Sequence, residues 1–92
     1  MSPRRLYVAN LSKFTSELEL EEAFAEHGAV VSVTLVRDQE TGNAGFGFVE
    51  YATVAGAEVG QLALNGSMLH GRLLSVELAR NGTPLPADPI SR

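Results

Sequence analysis

Three aromatic side chains stand out by where they fall. Tyr7 lies in the short run Leu6-Tyr-Val-Ala9, and Phe46 and Phe48 lie two residues apart in Gly45-Phe-Gly-Phe-Val-Glu-Tyr51. Both runs alternate with period two, the mark of a strand with two unlike faces. Leu6 and Val8 oppose Tyr7 and Ala9; Gly47, Val49 and Tyr51 oppose Phe46, Phe48 and Glu50. A core needs Leu6, Val8, Val49 and Tyr51, because the reversed register would bury glycine and Glu50 instead. The three rings are then left on an open surface. Exposing a large apolar side chain costs on the order of 1.5–3 kcal/mol, which calls for a partner. Flat rings spaced along a sheet suit unstacked nucleobases, each stacking for about 1–3 kcal/mol.

Other chemistry is poorly provided for. The 92 residues include no cysteine, which excludes disulfides, thiolate metal sites and a cysteine nucleophile. The two histidines, His27 and His70, are far apart in sequence, and no nucleophile–base pair is visible. No catalysis, metal or cofactor is expected. Charge runs against a simple electrostatic binder, since 7 basic and 11 acidic residues give a net charge of −4. Five of the acids (Glu17, Glu19, Glu21, Glu22 and Glu26) fall in one helical segment, and the rest of the chain is nearly neutral. Stacking would have to carry more of the affinity than charge.

The elements that position these rings follow from pattern and punctuation. After the first strand and the loop Asn10–Thr15, Ser16 with Glu19 three residues on forms a capping box. Leu20, Ala23, Phe24 and His27 share one helical face, and Gly28 is the expected C-terminal cap. Val30 to Arg37 reads as a second strand with Val33 and Leu35 on one face and Thr34 and Val36 on the other. The polar turn 38–44 leads into the third strand. Thr53 caps a second helix to about Leu64, with Ala57, Leu62 and Leu64 as apolar contributors. Gly56 and Gly60 weaken it by about 1 kcal/mol each relative to alanine, and tight helix-on-sheet contact is the expected reason for them. Asn65-Gly66 stops the helix, and the His70-Gly71 turn precedes a last strand, Leu73–Leu78, with Leu74, Val76 and Leu78 inward. The order βαββαβ predicts an α+β, ferredoxin-like sandwich, with two helices on one face of a four-stranded antiparallel sheet. Residues 1–80 form the domain; residues 81–92 hold three of the four prolines and read as a flexible tail.

Leu6-Tyr-Val-Ala-Asn-Leu11 resembles the hexamer of the RNA recognition motif family, and Ala44-Gly-Phe-Gly-Phe-Val-Glu-Tyr51 resembles its octamer. Phe24, Gly28, Asp38, Thr41-Gly42, Leu64-Asn65-Gly66 and Gly71-Arg72 also match, so the resemblance covers about residues 5–80. It implies that Tyr7 and Phe48 each stack on a base and that Phe46 packs between two riboses. It implies a structural role for Asn10, sometimes near RNA, and base contacts from Arg80 and Asn81. Arg5, Thr34, Glu50, Ser75 and Glu77 share the open face by alternation and are placed to tune base choice. The sequence departs from the family at Ala44, where a phosphate-pairing cation usually stands, and in a loop one residue shorter than common. Modest affinity and a shallow salt dependence are therefore expected.

The ligand so implied is short single-stranded RNA, with single-stranded DNA as a further candidate. The alternative is a protein-interaction module of the same fold, docking a partner through the sheet or the acidic first helix. An enzyme on this plan would need features that are absent, such as a Cys-x-x-Cys loop or an arginine-bearing phosphate cradle after the first strand. No apolar run approaches the ~18 residues of a membrane span, and Met1-Ser-Pro-Arg-Arg5 passes directly into a strand. A monomeric cytoplasmic protein, or a nuclear one in a eukaryote, is expected.

Overall fold

The computed structural model describes residues 4–36, 38 and 45–79. The chain runs β1 (Arg5–Ala9), α1 (Glu17–Ala25), β2 (Val30–Leu35), β3 (Phe46–Tyr51), α2 (Val54–Leu64), β4 (Met68–Leu69), β5 (Arg72–Leu73) and β6 (Ser75–Ala79). The expected βαββαβ order is present, with the β4–β5 hairpin added before the last strand. Arg37, Ala44, Arg80 and the tail 81–92 lie outside the described residues.

Capping chemistry sets where α1 starts. Ser16 Oγ accepts the Glu19 N–H (3.1 Å), and Glu19 Oε1 accepts the Ser16 N–H (3.0 Å), so the capping box is complete. Leu20 and Phe24, one helical turn apart, are fully buried. Burial of each stabilises by about 1.5–3 kcal/mol. The helix closes at Glu26 rather than at Gly28. Gly28 serves another purpose: a Cβ there would lie 3.1 Å from Gly56 Cα and 3.2 Å from the Tyr51 ring. It lets the two helices and β3 approach.

α2 begins with Thr53 Oγ1 accepting the Gly56 N–H (2.9 Å). Its buried residues are Gly56, Ala57 and Gly60, while Leu62 is 76% exposed and contributes nothing to the core. The face is chosen by Tyr51. A Cβ at Gly60 would collide with Tyr51 Oη and lie 2.8 Å from Cζ, and one at Gly56 would lie 3.0 Å from Cδ2. The expected close helix-on-sheet contact is thus a slot for one ring. Tyr51 Oη donates to the Phe24 carbonyl (2.6 Å), and burial pushes the phenol pKa up to about 12.

The sheet is four-stranded and antiparallel, in the order β2-β3-β1-β6. Leu6, Val8, Val49, Tyr51 and Val76 point to the helix-covered side and form the core with Leu20, Phe24, Leu35, Ala57 and Leu74. Leu78 shares that side by alternation but is 38% exposed, since β6 is an edge strand. The register of β2 against β3 shifts between Val30 and Ser32, so Val31 bulges out, 60% exposed. Farther along this edge, Glu17 Oε2 accepts the Leu35 N–H (3.2 Å).

The last strand differs from expectation. Leu73 pairs with Met68 in the small hairpin, and β6 begins only at Ser75. His70 (φ 52°) and Gly71 (φ 77°) form its two-residue turn, both left-handed as a type I′ hairpin requires. His70 Nε2 lies 2.9 Å from Glu19 Oε1, joining the hairpin to α1. Hydrogen bonds from His70, and from the Ser16 N–H, hold the Glu19 carboxyl below the usual carboxylate range.

Candidate nucleic-acid interface

The register assembles the open face as rows across the four strands. One row reads Thr34, Phe48, Tyr7, Glu77; the next reads Ser32, Glu50, Arg5, Ala79. A third holds Phe46, Ala9 and Ser75. All three predicted rings are therefore on the side away from both helices, on the two central strands. The Tyr7 centroid lies 5.8 Å from that of Phe48, with planes inclined at 45°, and 6.1 Å from that of Phe46, inclined at 59°. These spacings are ordinary for aromatic contact and leave the rings as one continuous shelf.

Exposure within the shelf is uneven, which corrects the sequence expectation of three open rings. Tyr7 and Phe46 are partly exposed, but Phe48 is only 8% exposed. Phe48 is central, with Tyr7 on one side and Thr34 on the other, and the Arg5 guanidinium carbon lies 5.0 Å above its ring centroid. Arg5 is thus a cation–π cover on one of the two base-stacking candidates. Thr34 is exposed. Glu50 is half-exposed, and its Oε2 lies 3.8 Å from Arg4 Nη2. Burial, and secondarily the Glu77 carboxylate across the strand pair, raise the Tyr7 pKa above the ordinary tyrosine value.

Asn10 does not belong to the shelf by its side chain. Its backbone is left-handed (φ 65°), its Nδ2 donates to the Leu73 carbonyl (2.6 Å), and its Oδ1 accepts from Arg72 Nη2 (2.5 Å). Arg72 Nε donates to the Asn10 carbonyl as well (3.2 Å). Asn10 and Arg72 together fasten the end of β1 to the small hairpin. Arg80 and Asn81 fall outside the described residues.

Sequence reasoning passed over Phe14, which is 73% exposed with the Lys13 ammonium 5.5 Å from its centroid. Its loop joins the sheet at the Phe46 end, where the Leu11 N–H donates to the Gly45 carbonyl (2.9 Å). An aromatic next to a lysine in a polar loop was the available signal. Among the described residues no group of three or more His, Asp or Glu side chains could hold a metal ion, and no helix is long and apolar enough to cross a membrane. What the face offers chemically is planar apolar area, two arginines at one end, and carboxylates beside the rings.

The sequence model of the RNA recognition motif matches residues 6–75. RbpE of Nostoc sp., a protein named for RNA binding, is 42% identical over 76 residues, covering 82% of this chain and 77% of that protein. The crystal structure of RNA binding protein PG1 superposes with a TM-score of 0.79 at 34% identity, over 85% of this chain and 95% of that one. A chain of the Sxl-lethal protein/RNA complex superposes with a TM-score of 0.77 at 32% identity, over 83% of this chain and 47% of that one. Against four other curated relatives the chain spans 25 to 45% of their length.

Proposed function

Given that this chain belongs to the RNA recognition motif family, we propose that its open sheet face binds short single-stranded RNA by stacking. Tyr7 and Phe48 each take one base, and Phe46 packs against the intervening riboses. Arg5, Thr34, Glu50 and Glu77 line the bases, Arg80 and Asn81 add contacts beyond β6, and Asn10 positions the β1 end of the surface. The observation that carries this reading is the gathering of the Phe46 and Phe48 rings about 6 Å from the ring of Tyr7 on the helix-free face. Stacking does not need a 2′-hydroxyl, so single-stranded DNA is a second ligand of the same surface. The protein acts as a monomeric cytoplasmic binding module, not as a catalyst.

Affinity is modest. The described cations at this face are Arg4 and Arg5, and Arg4 is already beside Glu50. A salt dependence worth about one or two neutralised phosphates follows.

Fluorescence titration of a labelled, mixed-sequence short RNA tests the reading. The Phe46→Ala/Phe48→Ala double variant should keep its circular dichroism and lose at least about tenfold in affinity, or about 1.4 kcal/mol. Equal binding by the two proteins would refute the assigned site. A protein-docking role is favoured by one observation, the exposed glutamates Glu17, Glu21, Glu22 and Glu26 on or beside α1. Absence of binding at up to about millimolar RNA would turn the balance to it.

A further inference from the structure

The two stacking positions differ in what stands beside them. Phe48 is flanked on β2 by Thr34, and Tyr7 is flanked on β6 by Glu77, each directly opposite in register. Opposed Cβ atoms on neighbouring strands are about 4.5–5.5 Å apart, so each flanking side chain reaches the rim of a base lying on its neighbour's ring. A threonine hydroxyl both donates and accepts, and it rotates to suit whatever edge it meets. An ionised carboxylate only accepts.

Of the two carboxylates on this face among the described residues, Glu50 sits beside Arg4 and opposite Arg5. Glu77 is exposed, and among the described residues no cation pairs with it. Its charge is felt at the ring, since it is one of the causes that raise the Tyr7 pKa.

The Watson–Crick edges of the four bases meet such a group differently. Guanine presents N1–H and N2–H side by side, which match the two oxygens of a carboxylate. Adenine and cytosine each present one amino donor beside a ring-nitrogen acceptor, which opposes the second oxygen. Uracil places a single N3–H between two carbonyls, and both repel the carboxylate.

We propose that Glu77 reads the base stacked on Tyr7 and selects guanine there, while the Phe48 position accepts any base. This inference rests on the stacking reading above. It also accounts for an acid on a surface that meets a polyanion: Glu77 lowers overall attraction and raises discrimination.

The test is a chemical double-mutant cycle by fluorescence anisotropy, using the pentanucleotides UUGUU, UUUUU and UUIUU, in which inosine lacks the guanine N2 amine. Wild type should bind UUGUU about tenfold tighter than UUUUU, within the range of bidentate base discrimination, with UUIUU between them. Glu77→Ala should bring the three RNAs within about twofold of one another, with UUUUU bound as well as by wild type or better. Glu77→Gln, which keeps the shape and removes the charge, should lose most of the guanine preference. A guanine preference that persists in both variants, or that is missing from wild type, overturns the proposal. Failure of the stacking reading shows separately, as UUUUU binding that survives Phe46→Ala/Phe48→Ala.

Discussion

Replacing Arg5 with alanine should change RNA affinity in opposite directions at low and high salt. A base that stacks on Phe48 must first displace the guanidinium lying 5.0 Å from the ring centroid. Giving up an exposed cation–π contact costs about 0.5–1 kcal/mol, so removing Arg5 should strengthen binding by that amount, roughly two- to fivefold. Once displaced, however, Arg5 is free to meet a phosphate. One such contact on a single strand changes log K by about 0.7 per decade of salt. At about 50 mM salt that contact is worth ~1.2 kcal/mol, more than the cover costs; at about 0.5 M it is worth only ~0.3 kcal/mol. The wild-type and Arg5→Ala lines in a plot of log K against log salt should cross between about 0.1 and 0.3 M. Anisotropy titrations of a pentanucleotide at five or so potassium chloride concentrations would resolve the two slopes. Parallel lines, with the variant weaker by one factor throughout, would refute the idea that Arg5 exchanges a ring for a phosphate.

Two further outcomes test the scaffold beneath the site. Gly60→Ala should destabilise by about 1–3 kcal/mol in urea unfolding, although helix propensity alone predicts a gain of about 1 kcal/mol. The added Cβ would collide with Tyr51 Oη, and a second substitution, Tyr51→Phe, should recover part of the loss; a more stable Gly60→Ala protein would show that the slot is not filled as described. The chain has two tyrosines and no tryptophan, so absorbance at 295 nm follows tyrosine ionisation alone. Tyr51 is raised from 10.0 to about 12, so its contribution to stability is complete below pH 10 and is lost as pH climbs toward 12. The urea midpoint should fall across that window and fall less in Tyr51→Phe; ionisation of both tyrosines near pH 10 without unfolding would contradict the burial.

The functional face was legible because a strand's side-chain period is two. Once Leu6, Val8, Val49 and Tyr51 are needed inside, Tyr7, Phe46 and Phe48 have one place left, and the register places them there. Ser16 and Glu19 were equally legible, since a capping box is a local hydrogen-bond pair. The misses have a common cause in contacts between segments distant along the chain. Leu62 looked like core because Val54–Leu64 is apolar nearly all round, and the buried face is set by the ring of Tyr51 passing Gly56 and Gly60. Gly28 was assigned to ending a helix when its missing side chain matters to Gly56, 28 residues on. Neither Arg5 above Phe48 nor Arg72 on Asn10 leaves a trace in periodicity, because each pairing depends on how strands adjoin. The β4–β5 hairpin has two residues per strand, too few for any alternation to register.

The outer margin of β2 has a consequence for how copies of this chain behave in company. A straight outer strand offers donors and acceptors at regular intervals, and a second molecule can continue the ladder from it. Here the backbone is kinked at Val31, and the amide of Leu35 is already occupied by the carboxylate of Glu17. A neighbour approaching along this side finds neither even spacing nor a vacant donor at that end, and it meets negative charge as well. At high concentration, therefore, growth into fibres through this margin is discouraged by the same few atoms that anchor the start of α1.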